Sequence, residues 1–175
     1  MPVKIIVLDA NIAIKVLYDE PDSDIAKEFL QTCTTKDVHI LVPEHFLYEI
    51  INVCQRLRIE VSQPLTLFNK MRESILTVIA PDDDTWLLAE KIANDGHKKS
   101  GFPSMYDSIY HALAITSDAM FVTADKRHYA KSKTHGNILL LKDWKDFFSG
   151  KEAKDAIGED FVSEKDTDDL LDSRK

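Results

Sequence analysis

The sequence has little cysteine, glycine or proline, and these shortages exclude several classes of protein. Its 175 residues include two cysteines, five glycines and six prolines. Two cysteines outside any CxxC pattern cannot build a disulfide scaffold, and they favour a reducing compartment, the cytoplasm. The low glycine and proline content excludes collagen-like and low-complexity chains. The composition is that of a globular protein, and the length suits one domain with or without an appendage.

Long apolar runs are also missing from the sequence. The first apolar run, Ile5–Leu8, is stopped by Asp9. No uninterrupted apolar stretch approaches the ~18 residues that a membrane-spanning helix needs. We therefore expect neither a signal peptide nor a transmembrane helix, and no membrane partner.

The chain has no excess of basic residues, although a protein that binds nucleic acid through phosphates is expected to be basic. Its net charge is −8, and residues 151–175 contribute half of this with nine acids against five bases. That segment is also poor in apolar residues, a composition typical of disorder. The sequence predicts a globular domain over residues 1–149 and an acidic, disordered tail over residues 150–175.

Short apolar runs alternate with segments of helical periodicity along the predicted domain. The predicted strands cover residues 3–8, 39–42, 77–80, 120–123 and 138–141. Helices are expected between them, and Ser62 and Ser104 are predicted to cap two of these helices. Because strands and helices alternate without an internal repeat, we predict a three-layer α/β/α fold with a central, mainly parallel twisted sheet.

Four acidic residues occupy positions that an ordinary fold would fill differently. Asp9 and Asp125 each follow a buried strand, at the edge where open α/β sheets bind ligands. Glu49 interrupts an apolar helix, and Asp107 lies in the first turn of the helix that Ser104 caps. If these carboxylates converge, their repulsion is relieved only by protons or divalent cations. Oxygen ligands favour Mg²⁺ or Mn²⁺ over zinc.

Each of the four acids also has a purely structural interpretation. Asp107 could serve the helix dipole, Asp125 could be a turn residue, and Asp9 could cap the following helix. Glu49 is the hardest to explain in this way. A carboxylate within an apolar helix costs several kcal/mol unless it is paired or binds a metal.

Four blocks of sequence, in order, resemble a PIN domain of the VapC toxin type. They are VLDANIAIKVL at residues 7–17, LVPEHFLYEIINV at residues 41–53, YDSIYHALA at residues 106–114 and FVTADKR at residues 121–127. The resemblance runs over roughly residues 3–148. Four blocks at sensible distances are a far more specific signal than any one of them.

The resemblance implies a metal-dependent endoribonuclease on a compact α/β/α fold. The four acids of the family map to Asp9, Glu49, Asp107 and Asp125, which would be the catalytic residues and would hold Mg²⁺ or Mn²⁺. Asn11 and Thr123 occupy the two places whose polar side chains order the acids in this family. The resemblance also implies an RNA substrate, a cognate antitoxin protein and a homodimer.

Basic residues are needed beside the acids because a cluster of carboxylates repels RNA. The candidates that the sequence offers for RNA binding are Lys126, Arg127, Lys98, Lys99, Lys15 and Arg56. Lys126 and Arg127 are the best placed, since they follow Asp125 directly. Each of the six could equally be an ordinary solvated surface charge.

Other functions remain open on the sequence. The chain could be a PIN nuclease of RNA processing or decay without an antitoxin, or a non-catalytic PIN-like module that binds RNA or protein. A phosphatase that forms an aspartyl-phosphate is disfavoured, since such enzymes have an Asp-x-Asp motif after the first strand. This chain has Asn11 in place of the second aspartate.

Two further side-chain patterns compete with this interpretation. His45 and Glu49 are four residues apart on one helix and could suggest zinc. The six histidines are scattered along the chain, without a second His-rich ligand set. Tyr106, Tyr110 and Trp86 could stack on bases, although their helical spacing favours packing in the core or a dimer interface.

Overall fold

The central sheet is entirely parallel in the computed structural model, which describes residues 4–96 and 101–149. Its strands are β1 (Ile5–Leu8), β2 (His39–Pro43), β3 (Leu76–Ile79), β4 (Met120–Thr123) and β5 (Ile138–Leu140). They lie in the order β3-β2-β1-β4-β5, and each neighbouring pair is parallel. This confirms the predicted parallel sheet. The predicted tail over residues 150–175 lies outside the described residues.

Helices connect the strands throughout. They are α1 (Ala10–Leu17), α2 (Ser23–Thr35), α3 (Phe46–Arg56), α4 (Ser62–Ser74), α5 (Asp83–Asn94), α6 (Met105–Thr116), α7 (Lys126–Ser132) and α8 (Trp144–Ser149). Two short 3₁₀ turns, Lys133–His135 and Leu141–Asp143, flank β5.

The order of the strands distributes the helices over both faces of the sheet. From β1 the chain moves to β2 and β3 on one side, and then returns to β4 and β5 on the other. Because parallel crossovers are right-handed, α1 to α4 cover one face and α5 to α7 cover the opposite face. The predicted three-layer α/β/α fold is confirmed. β1 is the strand at which the direction of winding reverses, the usual place for a ligand site in such sheets.

The core forms where the sequence is apolar on both faces of a strand. Ile6, Val7 and Leu8 of β1 are fully buried, and so are Ile40 and Val42 of β2. A strand covered by helices on both faces needs apolar residues at consecutive positions, and for this reason β1 reads as a continuous apolar run.

A second, smaller apolar cluster joins α5 to α6. It consists of Ala89, Ile92, Ile109 and Ala112. The two alanines let the helices pack closely, and α6 in turn packs against β1, β2 and β4. This packing fixes the start of α6, and with it Asp107, relative to the sheet.

Polar side chains start several of the helices. Asp9, Asp82, Ser104 and Asp125 are N-caps whose side chains accept backbone hydrogen bonds from α1, α5, α6 and α7. The prediction that Ser62 caps a helix is wrong. α4 has Val61 at its N-cap, no side-chain cap bond forms there, and Ser62 is the first helical residue.

The lengths of the helices and the state of the two cysteines agree with the composition. No helix in the described ranges is long and apolar enough to cross a membrane. Cys33 and Cys54 are both free and buried, so they contribute to packing as small apolar side chains.

Three histidines that lie apart in the sequence pack together beside α6. His111 is fully buried, and its Nε2 lies 2.6 Å from the carbonyl oxygen of Gly136. The centroid of its ring lies 5.8 Å from that of His128 and 6.2 Å from that of His135. Burial lowers the pKa of His111 to about 4, the backbone bond to Gly136 opposes this, and the other two histidines add to it.

We expect this cluster to make the fold sensitive to acid. The pKa of His111 is lower in the folded chain than the ordinary 6.5, so its contribution to stability is complete above pH 6.5 and is lost as the pH falls toward 4. The loss amounts to about 3 kcal/mol for this one group. Melting temperatures measured from pH 7 to pH 4 should therefore fall, and His111→Asn should show a flatter profile.

The matched control for this experiment is His39→Asn, because His39 is an exposed histidine at the start of β2. Its profile should follow that of the wild type. A His111→Asn profile as steep as the wild-type profile would contradict the prediction.

Candidate active site

Two of the predicted acids meet at the carboxyl edge of the sheet, beside the strand where the winding reverses. Asp9 follows β1 directly and Asp125 follows β4 by two residues. β1 and β4 are parallel neighbours, with Leu8 opposite Val122. Parallel pairing of these two strands brings the residues that follow them to one edge, as their positions in the sequence predict.

Asp9 is held in a network of hydrogen bonds made by Asn11 and Thr123. The hydroxyl of Thr123 donates to Asp9 Oδ2 at 2.6 Å, and the side-chain amide of Asn11 donates to the same oxygen at 2.9 Å. The backbone N–H of Asn11 donates to Asp9 Oδ1 at 3.0 Å. Both residues that the resemblance places beside the acids therefore contact Asp9.

The same two residues link the ends of β1 and β4. Thr123 Oγ1 accepts from the backbone N–H of Asp125 at 2.9 Å, and Asn11 Oδ1 accepts from that of Ala124 at 3.2 Å. Since the hydroxyl of Thr123 also donates to Asp9, it bridges the Asp9 carboxylate and the backbone of Asp125. The network leaves the Asp9 carboxylate little freedom to rotate.

The Asp9 carboxyl is buried, and its pKa is strongly raised. Burial raises its pKa from 3.8 to about 7, against the hydrogen bonds from Thr123 and Asn11, which lower it. The charges of Asp107 and Glu49 raise the pKa further. The three acids are thus near enough to repel one another, as the sequence predicts.

Glu49 points from α3 toward α6, where the hydroxyl of Tyr110 donates a hydrogen bond to its Oε2. Burial raises the pKa of Glu49, the bond from Tyr110 opposes this, and Asp107 raises it further. Burial and the Glu49 carboxylate also raise the pKa of Tyr110, so that the phenol remains a donor. Glu49 is therefore a paired carboxylate rather than an isolated one.

Tyr110 holds Glu49 by a hydrogen bond that the sequence does not reveal. It was predicted to be a packing aromatic, and its side chain is indeed buried. Its position three residues after Asp107 is the available signal, because such residues share a helix face. The sequence cannot say that its hydroxyl reaches Glu49, a residue 61 positions away.

Asp107 and Asp125 also accept hydrogen bonds at the N-terminal ends of α6 and α7. Asp107 Oδ2 accepts from the hydroxyl of Ser104 at 2.6 Å. Asp125 Oδ1 accepts from the backbone N–H groups of Arg127 and His128 at 2.7 Å and 3.1 Å. Asp107 thus serves the first turn of its helix, as the structural interpretation expects, whereas Asp125 is the N-cap of α7 rather than a turn residue. Both charges reach His128, where they oppose the lowering of its pKa by burial.

The donor chemistry of this cluster fits a hard divalent cation. Carboxylate oxygens are its only charged donors, and their mutual repulsion is relieved by a positive ion. Within residues 4–96 and 101–149, however, no three His, Cys, Asp or Glu side chains are close enough to hold a metal as they stand. The acids are gathered, and a complete ligand shell requires side chains to turn toward one another.

The basic residues predicted to bind RNA differ in their exposure and in their bonds to other groups. Lys126 and Arg127 are exposed in the first turn of α7, directly after Asp125. Lys15 lies 3.2 Å from Glu20 and donates to the carbonyl of Pro21 at 2.8 Å. Arg56 is exposed at the end of α3. The other two candidates, Lys98 and Lys99, lie outside the described residues.

The aromatic candidates separate by exposure. Tyr110 is buried, whereas Tyr106 is 66% exposed and Trp86 is 45% exposed. Core packing is therefore wrong for Tyr106 and Trp86, because their side chains point outward from α6 and α5. Helical spacing alone does not reveal which face a neighbouring element covers.

Comparison with known proteins gives a family for the chain. The model of the PIN domain family matches residues 6–133. A search of curated protein sequences found no significant match.

Solved structures with the same fold include VapBC from Salmonella typhimurium bound to DNA, with a TM-score of 0.58 and 16% identity over 79% of this chain and 98% of that one. VapBC2 from Rickettsia felis, bound to a promoter DNA fragment, has a TM-score of 0.57 and 18% identity over 78% and 96% of the two chains. VapC20 from Mycobacterium tuberculosis, a toxin that cleaves the sarcin-ricin loop, has a TM-score of 0.56 and 14% identity over 71% and 93%. The family model spans most of the sequence and the folds agree, and the chain therefore belongs to the PIN domain family.

Proposed function

We propose that the chain is a metal-dependent endoribonuclease that hydrolyses RNA phosphodiester bonds. Its proposed active site consists of Asp9, Glu49, Asp107 and Asp125. The observation that carries this proposal is the state of Asp9, whose pKa is raised to about 7 by burial together with the charges of Asp107 and Glu49. A fold gains nothing in stability from gathering buried carboxylates, so their concentration favours a site that binds a cation.

The residues of the site divide the work of such a reaction. Asp9, Glu49 and Asp107 would hold the cation, and Mg²⁺ or Mn²⁺ suits their oxygens. When bound, the ion supplies activation of water and compensation of the charge that grows on the phosphate. Thr123 and Asn11 fix the orientation of Asp9, and Tyr110 fixes that of Glu49. Asp125 orders the start of α7, where Lys126 and Arg127 would hold the RNA backbone.

We further propose that the enzyme is the toxin of a toxin–antitoxin pair and forms a homodimer. The support for a cognate antitoxin is that the structures of similar fold include VapBC complexes. A PIN nuclease of RNA processing or decay has the same acids and remains the second candidate. The gene next to this one would separate the two, because a toxin is encoded beside a small DNA-binding antitoxin.

The test of the proposed activity is a pair of assays on the purified chain. With Mn²⁺ or Mg²⁺ we expect cleavage of single-stranded RNA, loss of cleavage in excess chelator, and no release of phosphate from a phosphomonoester. Phosphate release without RNA cleavage would favour the phosphatase alternative. Inactivity in both assays, with RNA still bound, would favour a non-catalytic module.

Lys126 and Arg127 give a separate prediction about substrate binding. Replacing both by alanine should weaken RNA binding and reduce the slope of log K against log salt by about 1.4, because two phosphate contacts are lost from a single strand. Binding is measured by fluorescence anisotropy from 50 to 300 mM salt, in an Asp9→Asn background that prevents cleavage.

The matched control for this prediction is the double variant Lys70→Ala, Lys91→Ala, which removes two exposed lysines of α4 and α5. Its slope should equal that of the parent. Equal slopes for both double variants would show that Lys126 and Arg127 do not contact the RNA backbone.

A further inference from the structure

His45 lies at the edge of the acidic site with a ring nitrogen that nothing satisfies. It is the N-cap residue of α3, one turn before Glu49. Its Nε2 lies 3.8 Å from Glu49 Oε2, too far for a hydrogen bond. Among the described residues this nitrogen has no hydrogen-bond partner, although it is shielded from solvent. A buried imidazole nitrogen without a partner is costly and calls for an explanation.

The ring of His45 is fixed in place by its neighbours. It packs edge-on against Tyr106 and Tyr110, with centroid distances of 5.6 Å and 4.8 Å. The backbone of Tyr106 also lies close enough to the ring to raise its pKa. Packing against two aromatic rings limits the rotation of the imidazole and keeps Nε2 at the edge of the acidic site, and metal-binding histidines are likewise held in one orientation by their surroundings.

The charge state of His45 agrees with this arrangement. Burial lowers its pKa, and the Tyr106 backbone and the Asp107 charge oppose this. A neutral ring beside a carboxylate can act as a metal ligand. The sequence offers no second His-rich ligand set for zinc, but a nitrogen that joins an acidic cluster does not need one.

We propose that His45 Nε2 and Glu49 Oε2 bind the same divalent cation, which gives the site a mixed nitrogen and oxygen ligand set and a preference for Mn²⁺, Co²⁺ or Zn²⁺ over Mg²⁺. The proposal deepens the proposed function, on which it rests for the role of the metal. Two ligands of a tetrahedral zinc ion lie about 3.4 Å apart. The observed separation of 3.8 Å therefore needs only a small adjustment of one side chain.

The rest of the ligand shell comes from Asp9, Asp107 and water. The described residues contain no ready group of three such donors, so the pair alone does not complete a site. The charge of Asp107 acts on both His45 and Glu49. Imidazole nitrogen suits Mn²⁺, Co²⁺ and Zn²⁺ far better than Mg²⁺, and this difference makes the proposal measurable.

The test is pulsed electron paramagnetic resonance of the full chain loaded with Mn²⁺. The wild type should show the ¹⁴N coupling of a bound imidazole, and His45→Ala should lose it. His39→Ala, which removes an exposed histidine of β2, is the matched control and should keep it. Melting curves establish that each variant is folded, and His45→Gln replaces His45→Ala if the latter is not.

Calorimetric titration gives a second measurement. The ratio of the Mg²⁺ and Mn²⁺ dissociation constants should fall at least tenfold in His45→Ala and stay unchanged in His39→Ala. Absence of a nitrogen signal in the wild type, or its survival in His45→Ala, would overturn the proposal. The proposed function is judged separately by RNA cleavage: cleavage without a nitrogen signal rejects only the inference about His45, and a nitrogen signal without cleavage rejects only the nuclease.

Discussion

Asp9→Asn and Asp107→Asn should each reduce RNA cleavage by more than about 100-fold, since losing even a residue that merely orients a metal ligand costs 10–100-fold. Asparagine keeps the size of the side chain and its ability to cap a helix, so the fold should survive. The change removes the negative charge that would hold the cation. Single-turnover cleavage of a labelled RNA at saturating Mn²⁺ measures the effect.

The control for these variants is Asp84→Asn, which neutralises an exposed acid of α5. It should cleave RNA at the wild-type rate, and all three variants should melt cooperatively. Metal-dependent cleavage that persists in both Asp9→Asn and Asp107→Asn would refute the assignment of the acids to the active site.

Divalent cations should stabilise the fold strongly, and more at pH 8 than at pH 5.5. The pKa of Asp9 is about 7 in the folded chain against an ordinary 3.8. Its contribution to stability is therefore complete below pH 3.8 and is lost as the pH rises through 7. At pH 8 a cation takes the place of the missing proton. At 100 times its dissociation constant it adds about 2.7 kcal/mol, a rise in melting temperature of roughly 5–10 °C.

At pH 5.5 the rise should be smaller, because protons on Asp9 and Glu49 compete with the metal. Melting curves with chelator and with Mn²⁺ at both values of pH measure the difference. Asp9→Asn should lose most of the stabilisation at pH 8, whereas Asp84→Asn should retain it. Equal stabilisation of wild type and Asp9→Asn would mean that the cation binds elsewhere.

The main elements of the fold could be predicted because their signals are local. An apolar run such as Ile6 to Leu8 is explained only by a strand covered on both faces, and the order of strands and helices then favours a parallel sheet. The bounds of α7 could not be predicted, because no helical pattern marks this segment. Its sequence, KRHYAKS, lacks an apolar stripe, and the helix depends on the Asp125 cap and on burial of His128 and Ser132.

The candidate site was predictable to a similar extent. The acids were recognisable because a carboxylate at such a position, for example Glu49 on an apolar helix, costs free energy of folding unless it is paired or binds a metal. The contacts between elements did not stand out. Scattered histidines pack together as His111, His128 and His135, and Tyr110 reaches Glu49, because helices on different parts of the chain are pressed onto one sheet.

The sequence by itself determined the parallel α/β class and the PIN domain family, and it singled out the four candidate acids, since apolar period and residue type are properties of single segments. Only the tertiary structure decided that Asp9 is buried enough to raise its pKa to about 7, that Thr123 bridges it to Asp125, and that His45 turns an unsatisfied nitrogen toward Glu49. Burial and hydrogen bonding depend on atoms that are distant in sequence, so they arise only when β1, β4, α3 and α6 are brought to one edge.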